Sequence, residues 1–353
     1  MGNEMNGEPI IFDTRDGQEL RINMISPWLK EYFGSGEREG RSLKIAKLSL
    51  DGGFTCPNRD GSKGFGGCCF CSESGSGDMA STTAEGVQQA TQRQIELLSH
   101  KWPKEKYDLK YIAYFQNHTN TYGSVEKMRV LFEAALEVPG VEGLAVATRS
   151  DCISHEVLEL LEELNKKTLL WVELGLQTIH KETAEKMNLC HEPADYRETV
   201  GRLAGAGIRI VTHLILGLPG ETREMMLKSV SEVCRPLSGR EGEYIFGLKL
   251  HMLNVVRGSR MAVIYPDYVP FETMEDYIDL LIEALEIIPP EITMHRISGD
   301  APRSTLIAPA WSYRKRAILN SIHREMRVRN TWQGRLYEGS AADQYGISIV
   351  NSL

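Results

Sequence analysis

Apolar residues along this chain come in short runs of about four to eight, separated by longer stretches of helical period. Strand-like runs occupy 45–50, 110–115, 143–148, 169–174, 208–216 and 244–250. Between them, 82–100, 124–136, 155–165, 181–187 with 194–206, 222–234 and 271–288 place apolar side chains on one helical face. Thr82-Thr83-Ala84-Glu85 reads as a helix start, and Pro289-Pro290 closes the last helix, since proline cannot continue one. Strands alternating with amphipathic helices need crossover connections, hence a parallel sheet. Six such units predict an α/β fold, an open six-stranded (β/α) partial TIM barrel over 41–290. Residues 1–40 read as an N-terminal extension with a short helix at 26–34, stopped by Gly34, and a glycine- and charge-rich linker at 34–40. Residues 291–353 read as a C-terminal closing segment: a loop-like 294–303 that can close over the barrel, then a basic helix from Trp311.

Right-handed crossovers put all strand C-termini on one rim. In α/β barrels that rim carries the chemistry. The loop after the first strand holds four of the chain's seven cysteines: Cys56, Cys68, Cys69 and Cys71. Thiolates at short spacing on a glycine-rich loop suit a thiophilic centre, zinc or iron–sulfur. A structural zinc site takes four ligands. Cys68-x-x-Cys71 makes one knuckle and Cys56 a third ligand, while Cys69 adjoins Cys68 too closely to bind the same ion. Three cysteines describe either an incomplete zinc site or a cubane with one iron left open. An odd, clustered set argues against a disulfide framework, and Cys152, Cys190 and Cys234 read as small apolar residues.

Cys68-x-x-Cys71 with Phe70 before the last cysteine resembles the cluster loop of the radical S-adenosylmethionine (SAM) superfamily. Its commonest members keep three residues between the first two cysteines, whereas eleven separate Cys56 from Cys68. The long spacing, with Cys56-Pro57-Asn58-Arg59-Asp60-Gly61, is similar instead to a bacterial branch related to the catalytic subunit of Elongator. The resemblance implies the same partial barrel and a [4Fe-4S] cluster held by Cys56, Cys68 and Cys71. It also implies S-adenosyl-L-methionine on the open iron, cleaved reductively to a 5′-deoxyadenosyl radical, and Phe70 packed over the cofactor.

The other strand ends then acquire expected roles. After the second strand, the resemblance points to Gln116, Asn120 and Thr121 near the methionine amino group; a surface turn with capping amides would look alike. After the third, Arg149 can fork a carboxylate, while Asp151 can cap the next helix. In the fourth, Glu173 is a carboxylate within an apolar strand, costly to bury unless paired. Glu173-x-Gly175-x-Gln177 resembles the segment beside the cofactor in Elongator-like and porphyrin-type members. Gly217, before Pro219-Gly220-Glu221, permits close backbone approach, and in the family this segment packs along the adenine. In the sixth strand, Lys249 and His251 share one face by period-two alternation and are the candidates for catalytic substrate or proton handling.

Composition narrows the setting. A hydrophobic content of 42% supplies a sizeable core, and no apolar run approaches the length of a membrane helix. The first nine residues are polar, so no signal peptide is expected and the protein is expected in the cytoplasm. The formal charge of −8 does not favour indiscriminate nucleic-acid binding. Yet Arg314, Lys315, Arg316, Arg324, Arg327, Arg329 and Arg335 face only Glu325 between 311 and 335, and a shorter basic stretch runs from 38 to 47. Such a run is either a solvated helix face or a phosphate-contacting patch, with Trp311, Tyr313 and Trp332 interleaved for base stacking. Elongator-like enzymes act on the wobble uridine of tRNA, so the resemblance implies tRNA as a partner and an electron donor such as flavodoxin or ferredoxin. About 60 residues follow Pro290, too few for Elongator's acetyltransferase domain, so no acetyl transfer is carried over. A radical SAM enzyme acting on a small, porphyrin-like molecule, and a non-catalytic iron–sulfur or zinc protein, are the alternative readings.

Overall fold

A computed structural model describes residues 9–337 except 16, 35–36, 39, 73–74, 76–79, 238–241 and 300. At its centre is a nine-stranded sheet. Seven strands follow one another in both chain and sheet order: Arg41–Asp51, Tyr107–Phe115, Val141–Arg149, Leu169–Gln177, Arg209–Leu216, Gly247–Met252 and Thr293–Arg296. Every neighbouring pair among them is parallel. Ser81–Thr82 adds a short eighth parallel strand on Leu50 and Asp51. Glu37–Arg38 turns back antiparallel at the edge. The sheet curls: Lys47 of the first strand lies 3.5 Å from His295 of the seventh. Helices cover the outer face, and Ser124, Ser154, Thr222 and Thr273 each accept a first-turn N–H at a helix start.

Two sequence expectations are corrected. The sheet has more than six strands, because Thr293–Arg296 is a strand rather than part of a closing loop. Its polar look comes from His295, turned into the barrel against Trp171 and Phe246, beside a β-bulge opposite Leu248 and Lys249. Thr82 and Thr83 do not cap a helix. Thr82 pairs with the first strand, Thr83 Oγ1 donates to the Asp51 carbonyl at 2.8 Å, and the helix Val87–Ser99 starts after Gly86.

The N-terminal segment is integral to the barrel. Helix Ile25–Tyr32 presses Ile25, Trp28 and Leu29 onto the inward-facing Ile112, Ala145, Leu169, Trp171, Val211 and Phe246, closing the floor. Trp28 and Phe246 meet edge-on at 4.6 Å. Just before this helix, Gln333 clasps three segments. Its Oε1 accepts from the Asn23 N–H at 2.9 Å, and its Nε2 donates to the carbonyls of Pro289 and Ile292 at 2.9 and 2.8 Å.

Candidate active site at the barrel rim and lumen

The cysteine loop is built rigidly for its glycine content. Its backbone is tied to the loop after the fourth strand, where the Cys69 N–H donates to the Met187 carbonyl at 2.9 Å. The Asn188 amide donates to the carbonyls of Gly67 and Phe65 at 2.8 and 3.1 Å, and the Asn58 amide reaches back to the Asn188 carbonyl. Cys69 is buried in a small apolar cluster with Met187, Leu189, Leu218 and Met261, against which Phe70 packs. That makes Cys69 an anchor. The Cys68 and Cys71 thiols hydrogen-bond to one another, and this contact, with burial and nearby Cys56, pushes Cys68 well above the usual thiol range. Arg149 opposes the shift. Among the described residues no three His, Cys, Asp or Glu converge on a single ion. A cubane draws each thiolate to a different iron and does not ask for that convergence.

The rim residues fall into two groups. Arg149 is engaged by the chain itself: it forks Asp151 through Nε and Nη2, both at 2.9 Å, and donates to the carbonyls of Leu189 and Cys190 at 2.8 Å. Against burial, Arg149 and Lys63 hold Asp151 down to about 2, so Asp151 is an ion-pair partner rather than a cap. Asn120 clamps the second strand to the third, donating to the carbonyls of Phe115, Asn117 and Ala147. Thr121 Oγ1 lies 2.5 Å from Thr148 Oγ1 and donates to the Cys152 carbonyl at 2.6 Å. The close approach at Gly217 (φ +87°) is made by the Phe271 ring, which a Cβ would meet at 2.7 Å.

The second group lines the mouth of the barrel. Gln116 follows the second strand, half-buried. Gln177 ends the fourth at φ +71°, a left-handed conformation that costs a non-glycine residue on the order of 1 kcal/mol or more and concentrates at functional sites. Asn117 Oδ1, Asn120 Oδ1, Ser150 Oγ and Asn254 Oδ1 are buried without a partner. Each lies just past a strand C-terminus, on the rim that carries the cysteines.

Below the rim lies a charged layer that the sequence reading only partly identified. Glu173 is fully buried. Lys47 Nζ and Trp171 Nε1 donate to its Oε1 at 2.9 and 3.0 Å. Lys249 Nζ and His213 Nε2 engage Oε2, the latter at 2.8 Å. Burial drives His213 down to about 4, so a neutral ring donates Nε2–H to the carboxylate. Burial also opposes the charge of Glu173, but Lys249, Lys47 and His213 hold it well below the usual carboxyl range. Lys249 is pushed down to about 7 by burial and by the fields of Lys47 and Arg296, which together outweigh Glu173. Lys249 also donates to Tyr114 Oη at 3.0 Å. His251 stands 5.1 Å from His213, ring to ring, with Nε2 buried and unpartnered. Lys249 and His251 thus share the inner face, as alternation predicts. Lys47, Tyr114, His213 and His295 were missed, although Lys47 carried the same signal as Glu173, a charge inside an apolar strand.

The basic C-terminal helix, Lys315–Val328, runs down the outer wall beside Met274–Glu286. Arg329 pairs with Asp279 and Glu325, Arg324 with Glu325, and Arg335 with Glu286. The basic run is therefore divided. Arg314, Lys315 and Arg316 stay exposed at the end where Trp311 holds the Phe271 carbonyl and Phe271 meets Gly217 at the rim, while Arg324, Arg329 and Arg335 are paired with acids.

Residues 56–233 match the Radical SAM superfamily, and residues 245–328 match the Radical_SAM C-terminal domain. The chain belongs to the radical SAM superfamily. It is 40% identical over 321 residues to YtqA of Bacillus subtilis (strain 168), covering 91% of this chain and 94% of that protein. It is 26% identical over 167 residues to the tRNA uridine(34) acetyltransferase of Methanocaldococcus jannaschii, covering 46% of this chain and 29% of that protein. The archaeal Elp3 of Methanocaldococcus infernus, with an N-terminal deletion, superposes with a TM-score of 0.59 at 18% identity, over 82% of this chain and 64% of that one. At that identity the likeness is one of fold. The resemblance to Elongator-type proteins is borne out.

Membership implies a [4Fe-4S] cluster and SAM, and the residues present fit both. Cys56, Cys68 and Cys71 are neighbouring thiols beside the Arg149 guanidinium; as thiolates they would repel one another, and a cationic iron–sulfur core relieves that repulsion. The unpaired rim acceptors suit the ammonium and hydroxyl donors of SAM. No helix among the described residues is long and apolar enough to cross a membrane.

Proposed function

We propose that this radical SAM protein is an enzyme modifying the C5 substituent of the wobble uridine of tRNA. The observation that carries the enzymatic part is the rim: three cysteines and four unpartnered polar atoms together at the strand C-termini. The tRNA part rests on the likeness to a tRNA uridine(34) acetyltransferase over about half of this chain. When bound, the cluster and SAM supply one-electron, hydrogen-abstracting chemistry. The chain's own residues do the rest. Cys56, Cys68 and Cys71 hold the cluster, and the loop's ties to Met187 and Asn188 fix their spacing. Gln116, Gln177 and the amides of Asn117, Asn120 and Asn254 orient the cofactor, while the Trp28–Phe246 floor keeps water from entering below. Arg314, Lys315 and Arg316 at the rim end of the last helix contact the RNA backbone. An acidic electron-transfer protein such as flavodoxin or ferredoxin supplies the electron.

Mass spectrometry of tRNA nucleosides from a strain lacking the gene tests the substrate. An altered wobble-uridine side chain, restored by the wild-type gene, is the expected result. An unchanged profile sinks the tRNA reading. A small-molecule substrate is the second reading, and the acid-paired outer wall favours it. Reduced, reconstituted protein that releases 5′-deoxyadenosine while tRNA is unaltered would point there.

A further inference from the structure

We infer that the barrel lumen is a receptor for an anionic group of the substrate, a carboxylate or a phosphate, gripped by Lys47 and Lys249 beside Glu173. The inference rests on the proposed function only in taking the barrel as the place where substrate enters. Two ammoniums share one carboxylate here: Lys47 on Oε1 and Lys249 on Oε2. Neither pairs with a second acid among the described residues. Both also crowd the Tyr114 ring, at 5.0 and 4.7 Å from its centroid. Two cationic side chains, one buried and one partly open, converging on a single buried carboxylate leave an excess of positive charge, and a ligand anion offsets it.

The layer is reachable. Glu173 has no exposed surface, yet Lys47 keeps 24% and His213 15% of their side chains open to solvent. Both project from barrel strands into the lumen, so the open surface belongs to the lumen itself. His251, one turn of the alternation closer to the rim than Lys249, offers an unpartnered Nε2 as a further contact. The apolar floor beneath allows no second entrance from Trp28's side. Lys249, pushed down to about 7 by burial against the pull of Glu173 and with the fields of Lys47 and Arg296, is only partly protonated at neutral pH, and an anion bound beside it favours its charged form.

The test uses the full chain, reconstituted with its cluster under anaerobic conditions, titrated calorimetrically with acetate or inorganic phosphate against chloride at equal ionic strength. Saturable binding of acetate or phosphate is expected, with the preferred anion naming the source of the charge. Lys249→Met and Lys47→Met should each weaken it about tenfold or more, the scale of one charge-assisted hydrogen bond. Glu173→Gln should tighten it, because the resident competitor is gone; a merely structural layer would not respond with that sign. Should Lys249→Met fail to fold, the charge-matched Glu173→Gln/Lys249→Met pair replaces it and should bind less tightly than Glu173→Gln. Binding no stronger than chloride, or binding indifferent to both lysines, overturns the inference. The titration involves no tRNA and no SAM cleavage. An unchanged nucleoside profile beside intact, lysine-dependent anion binding would therefore sink only the tRNA reading.

Discussion

Replacing Glu173 by Gln tests whether the charged layer is an electrostatic unit. Glu173 is completely buried and accepts from Lys47, Trp171, His213 and Lys249. A glutamine keeps the shape and can still accept from Lys47 and Trp171, but it leaves two ammoniums without a counterion. Removing one partner of a buried pair costs about 3–5 kcal/mol. The lower end applies here. Lys249 already sits near 7, so it can escape by losing its proton instead of staying charged and unpaired. The expected loss at pH 7 is about 3 kcal/mol, roughly a 5 °C or greater fall in melting temperature. The assay is urea unfolding followed by circular dichroism and tryptophan fluorescence, with Lys249→Met and the double variant completing the cycle. Lys249→Met relieves the cationic excess, so the double variant should lose less than the two singles added, by about 2 kcal/mol. Additivity within about 0.5 kcal/mol, the range typical of independent sites, would refute a shared layer.

The same lysine sets a pH dependence. The unfolded chain holds the Lys249 proton up to the ordinary lysine value of 10.5, whereas the folded protein releases it near 7. Between those values the unfolded state binds more protons, so stability rises with pH. Lys249 is faced by Glu173, Lys47, Tyr114, His213 and Arg296, and Lys249→Met should flatten the rise between pH 7 and 9 in melting curves; an unchanged slope counts against the assignment. Alanine at Cys56, Cys68 or Cys71 should each abolish bound iron and sulfide after reconstitution, while Cys69→Ala should keep them; loss in Cys69→Ala would reassign the ligands. Gln333→Ala removes two buried hydrogen bonds and one part-buried one across the clasp and should cost about 2–4 kcal/mol in urea unfolding. A loss under about 1 kcal/mol would mean that water replaces the amide.

The barrel was legible because its strands are buried on both faces and so read as apolar runs. Leu169–Gln177 and Arg209–Leu216 fall close to their expected positions. Thr293–Arg296 was not legible, because its inward residue is a histidine satisfied by lumen groups that arrive from distant strands. The spacing put Cys56, Cys68 and Cys71 on one rim loop, where the structure has them side by side, while the choice between zinc and a cubane needed the resemblance. Arg149 shows the limit of such reading. Its place at a strand end was visible, but that its fork grips Asp151 two residues on, and carbonyls forty residues away, depends on tertiary structure. Glu173 was correctly marked as a carboxylate needing partners. The sequence could not say whether those partners were a ligand or, as found, two lysines and a histidine.

The vertical order of these layers constrains what can bind. Lys249 lies three residues before Met252, where its strand ends, so it sits about 10 Å below the rim at roughly 3.3 Å per residue, less with strand tilt. The cysteines occupy the rim and the Trp28–Phe246 contact seals the floor. A substrate whose anion rests on Lys249 must therefore extend only a few bonds upward to bring its reacting atom to the cysteine loop. A rigid, bulky ring system would have to fill the lumen at the charged layer, where Glu173, Lys47, Tyr114 and Trp171 already meet. A slender side chain carrying a terminal charge does not. This geometry favours a flexible substituent presented from a larger body left outside the rim, and a nucleoside side chain offered by an RNA has that form.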